Sequence, residues 1–266
     1  MDRTSTSSAI AALTHRNILK NVRNPDIIVF ATAAPVAFAL LFAFVFGSAM
    51  EMDGGAYREY LLVGVIAQTM LTTATNTGVG LAHDAREGMT DRFRSLPVNP
   101  LSVLVARTNS DLIMNVLVIV ILTGVGLAMG WRIHSTPLEA AAGYGILLLF
   151  AYSLSWVTAY VGLKVRSPEV LSNTSLLFLL PLSFISTAFV PTDGMPTVMR
   201  VVAEWNPVSA VVTATRALFG NMPAGVAVPD AWPLQHPFTA SLAASTVLLA
   251  LFVPLSARAF TRPHRA

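Results

Sequence analysis

The side chains with which this chain could break bonds or hold ions are few, and their spacing suits neither task. Its five histidines, His15, His83, His134, His236 and His264, include no pair at i, i+4, and a metal site needs two or more converging imidazoles or carboxylates. His83 beside Asp84 is the nearest approach, and a solvated loop histidine is the expectation there. H-E-x-x-H and G-x-S-x-G are both absent, which removes the usual zinc-hydrolase and serine-nucleophile frameworks. Cysteine is absent too, so disulfides, thiolate zinc and iron–sulfur clusters fall away. A phosphate-cradling loop needs G-x-x-x-x-G-K-[ST]. The two lysines, Lys20 and Lys164, stand in no such setting. If ATP drives this protein, the nucleotide site lies on another chain, so no cofactor is expected on this one.

The elements that carry these residues are built for lipid. Apolar residues make up 54% of the 266 and charged residues only 12%, against about 25% charged in a soluble domain. The apolar residues fall into blocks of about 20, the length that crosses a ~30 Å hydrocarbon layer as a helix. We read an all-α integral membrane protein with six spans: about 27–48, 60–82, 112–130, 137–163, 170–190 and 238–260. The first block starts too late and runs too long for a cleaved signal. Asp111 and Glu139 sit at the edges of blocks, so no chain of intramembrane carboxylates is available to relay protons. Trp131 follows the third block where an interfacial anchor belongs. The second block is rich in Thr and Gly on its later half, which suits close helix contact or a pathway.

Two segments outside the spans have internal order. From about Ala9, the polar N-terminus places Arg16, Lys20 and Arg23 on one stripe of a helix and Ile10, Ile18 and Val22 on another, as in a basic amphipathic helix lying in the headgroup layer. Between the fifth and sixth blocks, Pro196–Trp205 and Pro207–Phe219 are apolar but too short to span, as re-entrant helices are. Asn206-Pro207 between them supplies an N-cap and a first helical residue.

Orientation follows from the basic residues. Thirteen collect on one side (Arg3, Arg16, Lys20, Arg23, Arg86, Arg92, Arg94, Arg107, Lys164, Arg166, Arg258, Arg262, Arg265) and four on the other (Arg58, Arg132, Arg200, Arg216). The positive-inside rule then places both termini in the cytoplasm, and an even number of spans agrees. The chain divides into a cytoplasmic amphipathic segment (1–26), a six-helix membrane domain (27–260) and a cytoplasmic tail (261–266), together one transmembrane domain.

The most polar internal stretch, His83–Asp111, holds Glu87-Gly88, then Asp91-Arg92-Phe93-Arg94, then Leu96-Pro97. It resembles the cytoplasmic loop between the first two hairpins of ABC-2 type permeases, especially those of the daunorubicin-resistance class. Trp205-Asn206-Pro207 and the later Arg216-Ala217-Leu218 are similar to that family's stretch after the fifth span. The resemblance implies that Glu87, Gly88, Asp91, Arg92, Phe93, Arg94, Leu96 and Pro97 form a loop that docks into a cleft on an ATPase subunit. It implies an external re-entrant gate containing Trp205, Asn206, Pro207 and Arg216. It further implies two permease chains, as a homodimer, with two ATPase subunits that bind ATP and Mg, in a bacterial plasma membrane. The cargo would be a hydrophobic drug, lipid or glycolipid-like molecule moved outward. Arg92 and Arg94 suit an acidic partner surface, and Phe93 and Leu96 suit an apolar cleft. Two other readings remain open: a secondary carrier or channel working without an ATPase, and a polytopic membrane enzyme acting on lipid.

Overall fold

The computed structural model describes residues 6–23, 25–46, 54–89, 92, 100–165, 167–222 and 229–261, and these are helical with short connections. In chain order the helices are α1 (Thr6–Val22), α2 (Pro25–Leu41, ending in a π turn over Phe42–Phe46), α3 (Gly54–Arg86), α4 (Pro100–Ala128) and α5 (Pro137–Gly162). There follow α6 (Pro168–Phe184), a 3₁₀ turn (Thr192–Gly194), α7 (Thr197–Trp205), α8 (Pro207–Phe219), α9 (Trp232–Gln235) and α10 (Pro237–Thr261). Among the described residues, three helices are long and apolar enough to cross a membrane: Leu101–Ala128, Pro137–Gly162 and Pro237–Thr261. Helices α2 and α6 are 17 residues each. At 33 residues α3 is the longest, and its Thr, Gly and amide side chains make it the most polar of the long helices.

What the bundle shows to its surroundings identifies the solvent. On α4 the exposed large residues are Ile113, Val116, Leu117, Val120 and Leu127, a stripe at i, i+3, i+4 and i+7 that would face inward in a water-soluble protein. Leu242, Val247 and Leu251 on α10 and Leu176, Leu177 and Phe178 on α6 are exposed in the same way. Apolar outward faces of this extent belong against hydrocarbon.

Helix α3 runs through the centre, against α5 and α6. At its crossing with α5, Gly78 and Gly162 face each other, and a Cβ on either would overlap backbone of the other helix. Small residues at such a contact let two backbones approach, and Thr158 Oγ1 donates to the Ala74 carbonyl at 2.6 Å across it. The interior divides into two clusters. One, around Leu61, Ile66, Met70, Leu122, Phe150, Phe189 and Phe219, occupies the middle and one end. The other joins Leu81, Leu104, Trp156, Leu163 and Phe260, with Leu13 of α1 packed against it. The first and last described helices therefore both pack onto the cluster at the end where α3 stops and α4 begins.

The structure departs from the sequence reading at the start of α4 and at Trp131. The third apolar block was expected from Leu112, yet α4 starts at Pro100. Its first three turns carry Ser102, Thr108, Ser110 and Asp111, which read as loop but are buried. Trp131 is not an exposed interfacial anchor. It is 1% exposed, because Gly130 takes a positive φ of 92° and turns the chain inward, setting the indole edge-on to Phe219 with ring centroids 5.7 Å apart.

Candidate functional site

The expected docking loop falls in the sequence between α3 and α4, and of its expected contact residues Glu87, Gly88 and Arg92 are described. Asp91, Phe93, Arg94, Leu96 and Pro97 lie outside the described residues. At its entry, Gly88 adopts a φ of 72°, a left-handed backbone that ends α3 and that glycine adopts without strain. The Arg92 amide donates to the Gly88 carbonyl at 3.3 Å, the i to i−4 bond of a new helical turn, and the Arg92 side chain is exposed. Glu87 is exposed as well and pairs with His83 at 3.5 Å. His83, Asp84 and Glu87 bring their donor atoms within 4.8 Å of one another; the His83–Glu87 pair accounts for that approach without an ion.

Around this loop the neighbouring helices are tied together by side chains from both its flanks. Arg86 of α3 meets Glu169 of α6 at 3.2 Å. The carboxylate of Glu169 is held below its ordinary range by its own backbone amide first, then by Ser167, with Arg86 adding to the effect. A carboxylate with a depressed pKa keeps its contribution above the ordinary range and loses it only on acidification below that range, so the tie is intact at neutral pH. Arg107 of α4 reaches Asp111 at 3.6 Å and donates to the Asn76 carbonyl of α3 at 3.3 Å. Gly80 leaves room for the guanidinium to lie along α3. Thr77 donates to Asp111 across the same α3–α4 contact. Thr14 of α1 donates to the Ala106 carbonyl of α4 at 3.4 Å. Helix α1 thus rests one face on α4, and Arg16 and Arg23 are exposed; the Lys20 side chain lies outside the described residues.

At the opposite end, the expected gate residues occupy very different places. Trp205 is 62% exposed and sits on α7 among the exposed Val198, Met199, Val201 and Val202, while Pro207 is exposed at the start of α8. Asn206 is buried and makes three bonds. Its Oδ1 caps α8 by accepting from the Val208 amide at 2.9 Å, and its Nδ2 donates to the Leu182 and Ile185 carbonyls at 2.7 Å each. The cap read from Asn-Pro is therefore also a stitch to the frayed end of α6. At the far end of α8, Gly220 closes the helix with a φ of 70°.

Arg216 is 2% exposed. Its Nε and Nη2 donate to the Tyr60 carbonyl at 3.1 and 2.9 Å. Nη1 donates to the Thr187 carbonyl and Nη2 to the Ala188 carbonyl, each at 2.8 Å. The guanidinium carbon lies 3.4 Å from the centre of the Tyr60 ring, a cation–π contact. Residues 187 and 188 follow the end of α6, where carbonyls lose their helical partners, and the fork of Arg216 supplies donors to them. Tyr60 Oη also donates to the Thr187 carbonyl at 2.7 Å. The Thr187 amide donates to Ser209 Oγ at 3.0 Å, and Gly64 lets the Ala188 carbonyl lie against α3. A single buried cation thereby joins α3, the turn after α6 and α8. Sequence reading counted Arg216 among the outer charges and, through the family resemblance, among the gate residues; the one signal of its burial was its position inside an apolar helical stretch. The partners Tyr60, Thr187 and Ser209 carried none.

The loop between α4 and α5 closes this end. The His134 amide donates to the Phe219 carbonyl at 2.8 Å, Asn221 Nδ2 donates to the Arg132 carbonyl at 2.9 Å, and His134 Nε2 lies 2.8 Å from Glu59 of α3.

Known proteins place this architecture. The model of a family described as ABC-2 type transporter matches residues 8–219. The chain is 30% identical over 262 residues to the daunorubicin resistance ABC transporter permease protein DrrB1 of Streptomyces coeruleorubidus, covering 97% of this chain and 89% of that one. It is 26% identical over 251 residues to the doxorubicin resistance ABC transporter permease protein DrrB of Mycobacterium tuberculosis, covering 91% and 83%. It is 26% identical over 190 residues to the polysialic acid transport protein KpsM of Escherichia coli, covering 70% and 71%.

Proposed function

This chain belongs to the ABC-2 type transporter family, and from that premise we propose that it is the membrane-spanning subunit of an exporter whose ATP is hydrolysed by a separate subunit. In this reading α2, α3 and α6 cross the bilayer together with α4, α5 and α10, giving six spans with both termini cytoplasmic. Two copies of the chain stand on two ATPase subunits, and ATP and Mg stay on those partners. The loop Glu87–Pro97 enters a cleft on the ATPase, and α1 rests beside it at the membrane surface. Helices α7 and α8 form the re-entrant gate on the outer side, where the exposed apolar face of α7 suits immersion in the interfacial layer. The cargo is a hydrophobic drug, lipid or glycolipid-like molecule. Similarity to two drug-resistance permeases over most of the chain supports the small-molecule end of that range.

The observation that carries the coupling role is the set of cross-ties around the loop: Arg86 to Glu169, Arg107 to Asn76 and Asp111, and Thr14 to Ala106. A push on the loop is delivered to α1, α3, α4 and α6 at once. Charge reversal Arg92→Glu and truncation Phe93→Ala test it. Each should weaken capture of the ATPase subunit by about tenfold or more, the effect of losing one interfacial anchor, while leaving the permease folded. Unchanged ATPase association and unchanged export in both variants would remove the loop from the coupling role.

A further inference from the structure

The contact between α3 and α4 carries two polar ladders of the same pitch. Helix α4 has Arg107, Asp111 and Asn115, and α3 has Thr69, Thr73 and Thr77. Steps of four residues keep each set on one helix face. The two faces meet antiparallel. Thr77 donates to the Asp111 carboxylate, and one turn toward the loop the Arg107 guanidinium lies where a Cβ on Gly80 would stand. By that register Asn115 falls at the level of Thr73, one turn the other way. Asp111 and Asn115 are both buried.

The three threonines are in different states. Thr77 gives its hydroxyl to Asp111, whereas Thr69 and Thr73 donate back to their own helix, to the Val65 and Thr69 carbonyls at 2.7 and 2.9 Å. Back-bonding of this kind competes weakly with other acceptors, so Thr73 holds its proton ready for a carboxylate that reaches its level. Two donors of α4 are also unspent. Arg107 Nε, 3.6 Å from Asp111, and Asn115 Nδ2 are buried with no hydrogen-bond partner among the described residues, and an unmet buried donor is unfavourable.

A slide of α4 along α3 by one turn, away from the loop, re-pairs every rung. Asp111 takes Thr73, Asn115 moves to Thr69 and Arg107 to Thr77. The opposite slide sets Asp111 against Leu81, which offers no donor, so the ladder permits one direction. One-turn jumps of about 5.4 Å are a known form of helix movement, because packed elements shift between discrete registers. The loop joins these same two helices, so tension on it acts along the ladder.

We propose that Asp111 is a positioning residue for coupling, holding α4 in register on α3 and passing from Thr77 to Thr73 when the ATPase subunit acts on the loop. The assignment rests on the export reading for its driving force.

The test uses the full-length chain in lipid nanodiscs with its co-purified ATPase subunit. Because the chain has no cysteine, Ala85→Cys near the end of α3 and Val120→Cys on the exposed face of α4 take two spin labels. Dilution with unlabelled chain restricts the reading to distances within one copy. ATP with vanadate should lengthen the distance by about 5 Å over the nucleotide-free complex, one helical turn. Thr73→Val removes the rung that Asp111 moves to, and Thr77→Val the rung it leaves. The first should lower the long-to-short ratio about tenfold and cut substrate-stimulated ATPase turnover, with ATPase capture unchanged. The second should raise that ratio about tenfold without nucleotide, the scale of one hydrogen bond to a charged group. A purely structural role would move both variants the same way. An unchanged distance in every nucleotide state, or equal effects of the two variants, would overturn the slide. The Thr77→Val comparison needs no ATPase, so it decides the slide even where no partner co-purifies and the export reading falls.

Discussion

Arg216 is a guanidinium taken out of water and solvated by backbone carbonyls and a ring. Taking a charge out of water costs several kcal/mol, and partners with good geometry must offset it. Arg216→Met removes all the donors and leaves the Tyr60, Thr187 and Ala188 carbonyls short of partners. It should cost about 2–4 kcal/mol, the scale of losing charge-assisted bonds at a buried site, read as a fall in thermal midpoint in detergent. Arg216→Lys should fall between the two, since an ammonium lacks the planar fork that reaches three carbonyls. A midpoint unchanged in Arg216→Met would show that the network carries no stability. Asn206 separates two functions of one side chain. Asn206→Asp keeps the acceptor that caps α8 but sets a carboxylate against the Leu182 and Ile185 carbonyls, so it should destabilise more than Asn206→Ala, whose loss is about 1–2 kcal/mol. The reverse order would mean that the cap, and not the stitch to α6, is what Asn206 supplies. The sequence revealed Asn206 through its Pro207 neighbour. It could not reveal Arg216 as a core residue, because the carbonyls that make its burial possible come from 28 and 156 residues away.

Among the helices, the ends marked by local chemistry were legible and the ends set by tertiary burial were not. Pro207 and Gly220 bracket α8, and Thr136 and Glu139 form a capping box around Pro137 at the start of α5, all short-range signals. The early turns of α4 read as loop because Arg107 and Asp111 are polar, yet those groups are paired with each other and with α3. Burial by neighbours overrode the local composition. The α3–α5 crossing makes its own prediction. Gly162→Leu pushes a branched side chain into the Gly78 backbone and should cost about 1–3 kcal/mol, as overpacking does, read as a lower thermal midpoint. Gly145, with nothing near its Cβ position, is the control on the same helix and should tolerate leucine. Equal tolerance at both positions would mean that the two helices do not depend on their close approach.

For the molecule as a whole, the alternation of basic and neutral ends predicts which groups face which compartment. In a cysteine-free chain, Met222→Cys should react with a membrane-impermeant maleimide added outside intact cells, and Arg23→Cys only after permeabilisation; the opposite pattern would invert the topology. In the proposed exporter the two ends of the bundle would have separate tasks, the cross-tied loop end receiving force and the Arg216-pinned end holding the outer side shut. That proposed division calls for a motor on a separate subunit. The most direct test is co-purification from a membrane extract followed by an ATPase assay in lipid. The account predicts a stoichiometric soluble ATPase partner whose turnover rises with transported substrate and falls with Arg92→Glu. A permease that purifies without any such partner, yet moves substrate across sealed vesicles, would contradict it.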